Sequence, residues 1–462
     1  MWCSSNAVQL RSVQMKIRYL ILNNFRKYEN ARFNFNERFT VLIGNNGAGK
    51  TTILDALALM LNTYFQGSGI RTGSGVIRKD DARLVSSEKG GQIFHESQSE
   101  VWLQAAATIN GTSCEWQRNK GDRGGMAKKF VDLGAEARSA IKKMQSPDLP
   151  ILLYYGAGRL WDVHRDINTE RPGSQLDAYR HCLDPKSDQY AFEKWFKKMA
   201  LSEIQKSRSI PALNAVRDAV LCCIPGARKF YHDVVEDRIM IKLEREGLVP
   251  FNYLSDGYRN MVAMVADMAH RTVRLNPQHE ENAARETSGV VLIDEIDLHL
   301  HPKWQRRVVD DLQRAFPKFQ FIATTHSPFI LQSLDPGEVI DLGRQVAPEE
   351  LASLPVGMAA PGPRDEFSNQ AIEDIVERVM GVAVPQRGQR YQDMYDAAKK
   401  YYDLLQQAQG ADEQQKKLLK TRLDELSAPF SDNVAYHAFL EMERMAAGIG
   451  TTNQRKAEDA SR

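Results

Sequence analysis

Cysteine, net charge and long apolar runs are all scarce in this chain. Its five cysteines (Cys3, Cys114, Cys182, Cys222, Cys223) are odd in number and scattered over 462 residues, with no CxxC pair. That pattern argues against a disulfide framework or a zinc site and for reduced thiols in a cytoplasmic protein. Cys222 and Cys223 lie in an apolar run and read as buried structural residues rather than a redox pair. No apolar run approaches the ~18 residues of a membrane helix, and residues 1–14 hold no apolar stretch of signal-peptide length. With 61 Lys and Arg against 59 Asp and Glu, the formal net charge is only +2. No global field therefore draws the chain to nucleic acid or membrane, although a local basic face stays open. What is present is a globular composition, 42% hydrophobic and 26% charged, on a chain long enough for a sizeable core and two or more subdomains.

The punctuation of the chain supplies its organisation. Residues 1–14 are expected to be a disordered extension or an upstream start. Met15 opens a strand-like run, and a second apolar run from Phe39 to Ile43 leads straight into Gly44-Asn45-Asn46-Gly47-Ala48-Gly49-Lys50-Thr51. The helix after it, over 51–61, carries Ile53, Leu54, Leu57 and Leu61 on one stripe. Residues 67–89 are rich in Gly, Ser, Arg and Asp and read as a loop or mobile insert. Residues 92–117 resemble a hairpin turning at Asn110-Gly111-Thr112, and 150–155 a buried strand ending in Gly156-Ala157-Gly158-Arg159. Spacing predicts mostly helix over 161–224, a strand pair over 234–245, and a long helix over 258–275 stopped by Asn276-Pro277. A strand ending in Asp294-Glu295, a helix over 302–316, a strand over 319–324 and a short helix from Pro328 then alternate, which implies an α/β core. The expected domains are a lobe with the glycine-rich loop at 15–160, a mainly helical lobe at 161–253, a second core lobe at 254–345, a Pro/Ala/Gly-rich linker at 346–365, and a helical region at 366–462. That last region reads as a helical hairpin, 391–409 and 412–426, with an apolar face of Tyr391, Met394, Tyr395, Ala398, Tyr402 and Leu405.

Gly44-x4-Gly49-Lys50-Thr51 matches the Walker A pattern, with a strand before it and a helix after it. Its glycines let backbone N–H groups of Asn45, Asn46, Gly47 and Gly49 wrap phosphate oxygens at a helix start, where Thr52 follows. Lys50 is expected on the β- and γ-phosphates, and the Thr51 hydroxyl on Mg2+. Asp294 is the second expected Mg2+ ligand, and Glu295 sits where a general base would polarise the attacking water. His326, at the end of the next strand, can donate to the γ-phosphate; a local capping role beside Ser327-Pro328 is the alternative. Asp297, His299 and His301 invite a metal reading, but they precede a helix starting at Pro302 and fit a loop beside the catalytic carboxylate better.

At these residues the chain resembles the ABC-type ATPases related to the SMC and RecF proteins, rather than ring-forming AAA+ motors. Asn24-Phe25-Arg26 is similar to the "NFR" element of that group, and Leu254-Ser255-Asp256-Gly257 to its LSGGQ signature. More narrowly, Tyr154–Trp161, Leu254–Arg259, Ile293–Trp304 and Ala428–Asp432 look like blocks of the bacterial predicted ATP-binding proteins that include ATPase subunits of Septu-type and retron-associated antiphage systems. The resemblance implies an ABC-type P-loop ATPase core with an inserted helical lobe and a C-terminal α-helical region. It implies ATP and Mg2+ as ligands and Arg26 as a nucleotide contact. It also implies a homodimer or higher homo-oligomer in which Lys50 and Glu295 of one protomer face Ser255, Asp256 and Gly257 of the other. Two departures stand out: Asp256 replaces a glycine and brings negative charge near phosphate, and 154–159 holds no Q-loop glutamine.

No nuclease centre is visible after Leu342, where no strand ends in the acidic residues that metal-dependent cleavage needs. The leading expectation is therefore an ATPase sensor and scaffold controlling a separate effector nuclease, of the HNH type, in antiphage defence. A RecF-like role in DNA repair is the alternative. DNA contact rests on two small clusters, Arg306, Arg307 and Arg314, and Lys197, Lys198 and Lys206, which suit solvated helix faces at least as well. The purified chain with Mg2+ or Mn2+ is expected to leave DNA uncut; cleavage products on a gel would contradict the missing-nuclease argument.

Overall fold

Four apolar runs are buried at every residue: Phe39–Ile43, Ile151–Tyr155, Gly289–Ile293 and Phe319–Thr324. Strands covered on both faces show no polar alternation, as parallel sheets require. In the computed structural model, they join Val339–Asp341 in a five-stranded parallel sheet. Its order is Val339–Asp341, Phe39–Ile43, Phe319–Thr324, Gly289–Ile293, Ile151–Tyr155. The register sets Ile293 beside both Ala323 and Tyr155, and Thr324 beside Leu42. The segments carrying Gly44, Gly156, Asp294 and Thr325 therefore leave one C-terminal edge, where open α/β sheets place ligands.

The structure describes residues 14–70, 72, 75–121, 127–159, 174–185, 189–343, 367, 371–380, 388–407, 413–430, 432, 434–446 and 449. They form two compact units, Met1–Met380 and Gly381–Arg462.

In the first unit an antiparallel sheet, ordered Tyr28–Asn34, Met15–Phe25, Trp102–Ile109, Thr112–Asn119, accompanies the parallel one. Helix Lys50–Leu61 touches strands of both sheets, and all its residues from Ala56 to Leu61 are buried. Its last carbonyls would be orphans, but Trp116 Nε1 donates to Met60 O at 3.1 Å and Arg118 Nη1 to Leu59 O at 3.0 Å. Buried Gln320 stitches the sheets together: its Oε1 accepts from Ile17 N at 2.7 Å, and its Nε2 donates to Ile17 O at 2.8 Å and Asn36 O at 2.7 Å. A lost partner at such a site costs more than the bond contributes.

Helices Gln189–Lys206 and Pro211–Cys223 precede a meander of three strands, Ala227–Asp233, Arg238–Leu243 and Gly247–Pro250, one strand more than the alternation implied. Helix Asp256–Leu275 follows and ends before Pro277. Tyr155 OH donates to Asp267 Oδ2 at 2.8 Å and Arg271 Nε to the same oxygen at 2.9 Å, tying this helix to the sheet edge. Burial alone would raise the Asp267 pKa, but Arg271, His270 and Tyr155 together outweigh it and hold the carboxyl well below the usual range.

Some local expectations differ from the structure. Residues 84–97 form a hairpin, Leu84–Lys89 with Gln92–Ser97, where 67–89 reads as loop; Leu84, Ile93 and Phe94 stay exposed, so no buried face imprints a pattern. The helix over 302–316 is two pieces, Pro302–Gln305 and Val308–Ala315, separated where Arg307 leaves helical geometry at φ −126°. The 1–13 extension, residues 160–173 of the helical lobe and the 346–365 linker lie outside the described residues. In the second unit, helices Gln389–Gln407, Glu413–Ser427 and Val434–Ala446 enclose Tyr401, Leu405, Leu419, Leu423 and Leu440. Of the expected face, Leu405 lies in this core and Tyr402 packs against it, while Tyr395 is exposed and Tyr401 takes a core place. No helix among the described residues is long and apolar enough to cross a membrane.

Gly289 opens its strand at φ +147°, and a Cβ there would lie 1.9 Å from Ile151 O. Gly289→Ala is expected to destabilise the fold by about 2 kcal/mol, lowering the denaturant midpoint; an unchanged midpoint would contradict this strand register.

Candidate functional site

The Gly44–Thr51 motif turns from strand to helix through left-handed backbone at Gly44, Gly47 and Gly49, with φ of +140°, +79° and +96°. Only Gly49 is also closed sterically: a Cβ there would meet Tyr28 Oη at 2.5 Å. Buried Lys50 folds back so that its Nζ donates to Gly44 O at 2.7 Å and Asn45 O at 3.3 Å. Its pKa is lowered, chiefly by burial, against the pull of Asp294, Glu295 and Asp297. The loop lysine and these three carboxylates therefore share one field. Asn45 and Asn46 are exposed and line a cavity of about 220 Å3 with Thr325 and exposed His326. Thr52 sits half-exposed in the first helical turn.

The Asp294-Glu295 turn closes the site from the end of strand Gly289–Ile293, which is separated from the phosphate-loop strand by Phe319–Thr324. Thr51 Oγ1 donates to Asp294 Oδ2 at 2.9 Å, and Thr324 Oγ1 to Asp294 Oδ1 at 2.7 Å. The Glu295 amide donates to Thr324 Oγ1 at 2.7 Å. Glu295 adopts φ +50°, a left-handed conformation costing about 1–2 kcal/mol for a residue with a Cβ. Among the described residues its half-exposed carboxylate has no hydrogen-bond partner, while its backbone is held. Hydroxyl and carboxylate oxygens side by side are the hard donors Mg2+ takes, so Thr51 and Asp294 fit as its ligands.

Ser255 caps helix Asp256–Leu275 without a side-chain bond to it, leaving an exposed hydroxyl beside a helix start that attracts anions. Gly257 packs against the loop after Glu295: a Cβ there would lie 2.4 Å from His299 O. Asp256 is partly offset by Arg259, 2.9 Å away. Among the described residues no hydrogen bond joins Ser255, Asp256 or Gly257 to the phosphate loop of the same chain, whereas Thr51, Asp294, Glu295 and Thr324 are hydrogen-bonded to one another. In the loop after Glu295, Asp297 accepts from Thr325 Oγ1 at 2.6 Å and His301 Nδ1 accepts from Lys303 N at 3.2 Å, capping its helix. No cluster of three metal-ligating side chains forms among the described residues.

Arg26 is held by two carboxylates. Its guanidinium donates to Asp55 at 2.6 Å and Asp81 at 3.0 Å, and Tyr154 OH donates to Asp55 at 2.9 Å. These groups line a separate cavity of about 320 Å3. The next two residues cover the phosphate loop instead. Lys27 Nζ donates to Gly47 O at 3.0 Å and Ala48 O at 2.7 Å, and Tyr28 OH to Ala48 O at 3.0 Å. Neither residue stood out in the sequence, although their position beside Arg26 was a usable signal. The basic candidates are partly neutralised: Arg307 and Arg314 pair with Asp311 at 2.6 and 3.2 Å, and Lys197 with Asp237 at 2.6 Å.

A phosphate loop at the C-terminal edge of a parallel sheet, with an Asp-Glu turn on the same edge, is the arrangement of a P-loop ATPase. A family model described as AAA domain matches residues 19–215. A second, described as an AAA domain of a candidate AbiEii toxin in a type IV TA system, matches 162–332. The chain is 26% identical over 403 aligned residues to the retron Ec83 probable ATPase of Escherichia coli, covering 71% of this chain and 72% of that one. It is 25% identical over 390 to the retron Vc95 probable ATPase of Vibrio cholerae serotype O1 biovar El Tor, covering 70% and 73%. It is 24% identical over 372 to the Septu protein PtuA of Bacillus thuringiensis, covering 79% and 84%. The chain is thus similar in sequence to the retron probable ATPases and to Septu PtuA, and two AAA-domain models match it between residues 19 and 332.

Lys50→Ala removes the loop's buried cation and is expected to abolish binding of a fluorescent ATP analogue; retained affinity would sink the site assignment.

Proposed function

We propose that this chain binds ATP with Mg2+ between two copies of itself, hydrolyses it slowly, and uses the bound state to control a separate effector nuclease in antiphage defence. The observation that carries the hydrolysis reading is the Asp294 carboxylate, shared by Thr51 of the phosphate loop and Thr324 of the adjoining strand. It sets the metal ligands beside the residue whose carboxylate is free to take a proton from water. Glu295 acts as that base. Lys50 leaves the loop carbonyls for phosphate oxygens. His326, on the rim of the Asn45–Asn46 cavity, donates to the terminal phosphate. Mg2+, held by Thr51 and Asp294, supplies charge neutralisation when bound.

The dimer reading rests on Ser255 and its helix start, which make no bond to their own phosphate loop and offer donors suited to an incoming phosphate. The defence setting is carried over from the retron ATPases and Septu PtuA. The HNH class of the effector extends from the resemblance alone.

Glu295→Gln keeps shape and hydrogen bonding but removes the base. It is expected to lower turnover by about 100-fold or more and to accumulate an ATP-bound dimer by light scattering. Unchanged turnover would remove Glu295 from the mechanism.

A further inference from the structure

We propose that Arg159 is a positioning residue for hydrolysis, coupling the Glu295 turn to the signature helix. The proposal rests on the ATPase reading above and assigns a physical link where the Q-loop glutamine is missing.

Arg159 is 4% exposed and makes four hydrogen bonds. Nη1 donates to Asp294 O at 2.7 Å and Gly156 O at 3.0 Å, Nη2 to Glu295 O at 3.0 Å, and Nε to Asn260 Oδ1 at 2.7 Å. Three of these acceptors are backbone carbonyls, two of them in the turn that carries both catalytic carboxylates. The fourth belongs to the helix that begins one residue after Ser255. Asn260 extends the chain of contacts: its Nδ2 donates to Leu298 O at 3.1 Å, in the loop that Gly257 packs against. One side chain thus joins the end of the edge strand, the Asp294–Glu295 backbone and the signature helix.

The link bears on chemistry because Glu295 sits at φ +50°. A residue in that region holds its conformation only where the surroundings over-determine it. Arg159 grips the Glu295 carbonyl and Thr324 its amide. A shift of the signature helix moves Asn260, then Arg159, then the peptide from which the Glu295 carboxylate projects. In a dimer where Ser255 meets the partner's nucleotide, each site would report its occupancy to the other site's base. The planar fork is essential to this geometry, and a lysine cannot bridge the same four acceptors.

The test compares Arg159→Lys, Asn260→Ala and the double variant with the unaltered chain, reading steady-state ATPase kinetics, ATP-analogue affinity and ATP-induced thermal stabilisation. Each single variant is expected to lose about tenfold or more in kcat with affinity within about threefold of the unaltered chain. The double variant is expected to be no slower than the slower single one, since both break one link. Asn260→Asp keeps the acceptor for Arg159 but loses the donor to Leu298 O, so it should fall between Asn260→Ala and the unaltered chain in rate, and with Asn260→Ala it serves should Arg159→Lys fail to fold. Unchanged kcat, multiplying losses in the double variant, or affinity falling in step with kcat would overturn the proposal. Absence of turnover in the unaltered chain would overturn the ATPase reading instead.

Discussion

The buried Asp294 carboxylate is the constraint on which this site depends. At 6% exposure it must be fully partnered or be neutralised. Its two oxygens take hydroxyls from Thr51 and Thr324, and its amide donates to Tyr155 O at 2.8 Å. Those three partners come from the phosphate helix and the two strands flanking Gly289–Ile293. The carboxylate therefore registers three pieces of chain that are far apart in sequence. Parallel strands paired without a shift make the registration possible, because Ile293, Ala323 and Tyr155 lie abreast.

Around that point, polar groups are satisfied by one another. Lys50 rests on loop carbonyls and Lys27 caps two more. Arg26 is held by two aspartates, one of which, Asp55, also accepts from Tyr154 OH. Arg159, with no carboxylate bonded to its guanidinium among the described residues, directs its donors to carbonyl oxygens, and burial pushes its pKa down to about 10 against the pull of Asp294, Glu295 and Asp297. Nucleotide binding must exchange several of these contacts. A site built this way trades one satisfied network for another when nucleotide binds.

Much of the central sheet was legible in the sequence, because strands buried on both faces appear as unbroken apolar runs and each ends in a motif. The phosphate loop, Asp294 and Glu295 were legible for the same reason: glycine spacing and a carboxylate pair after an apolar strand have few other uses. Arg159 and Thr324 were not readable as parts of the site, since their roles arise from long-range contacts that no local period encodes. Arg26 was assigned to nucleotide by resemblance, and only the structure shows Asp55 and Asp81 holding it. The exposed hairpin at 84–97 escaped notice because it buries neither face. Asp256, which looked like bare negative charge, has Arg259 one turn away to offset it.

The central claim is that the site is completed by a second copy of the chain. The direct measurement is cross-linking in the Glu295→Gln background, with Ser255→Cys on one population and Asn46→Cys on the other. A short thiol cross-linker should join two chains of 52.3 kDa each only when ATP and Mg2+ are present. No ATP-dependent product, or a bridge formed within one chain carrying both cysteines, would contradict it.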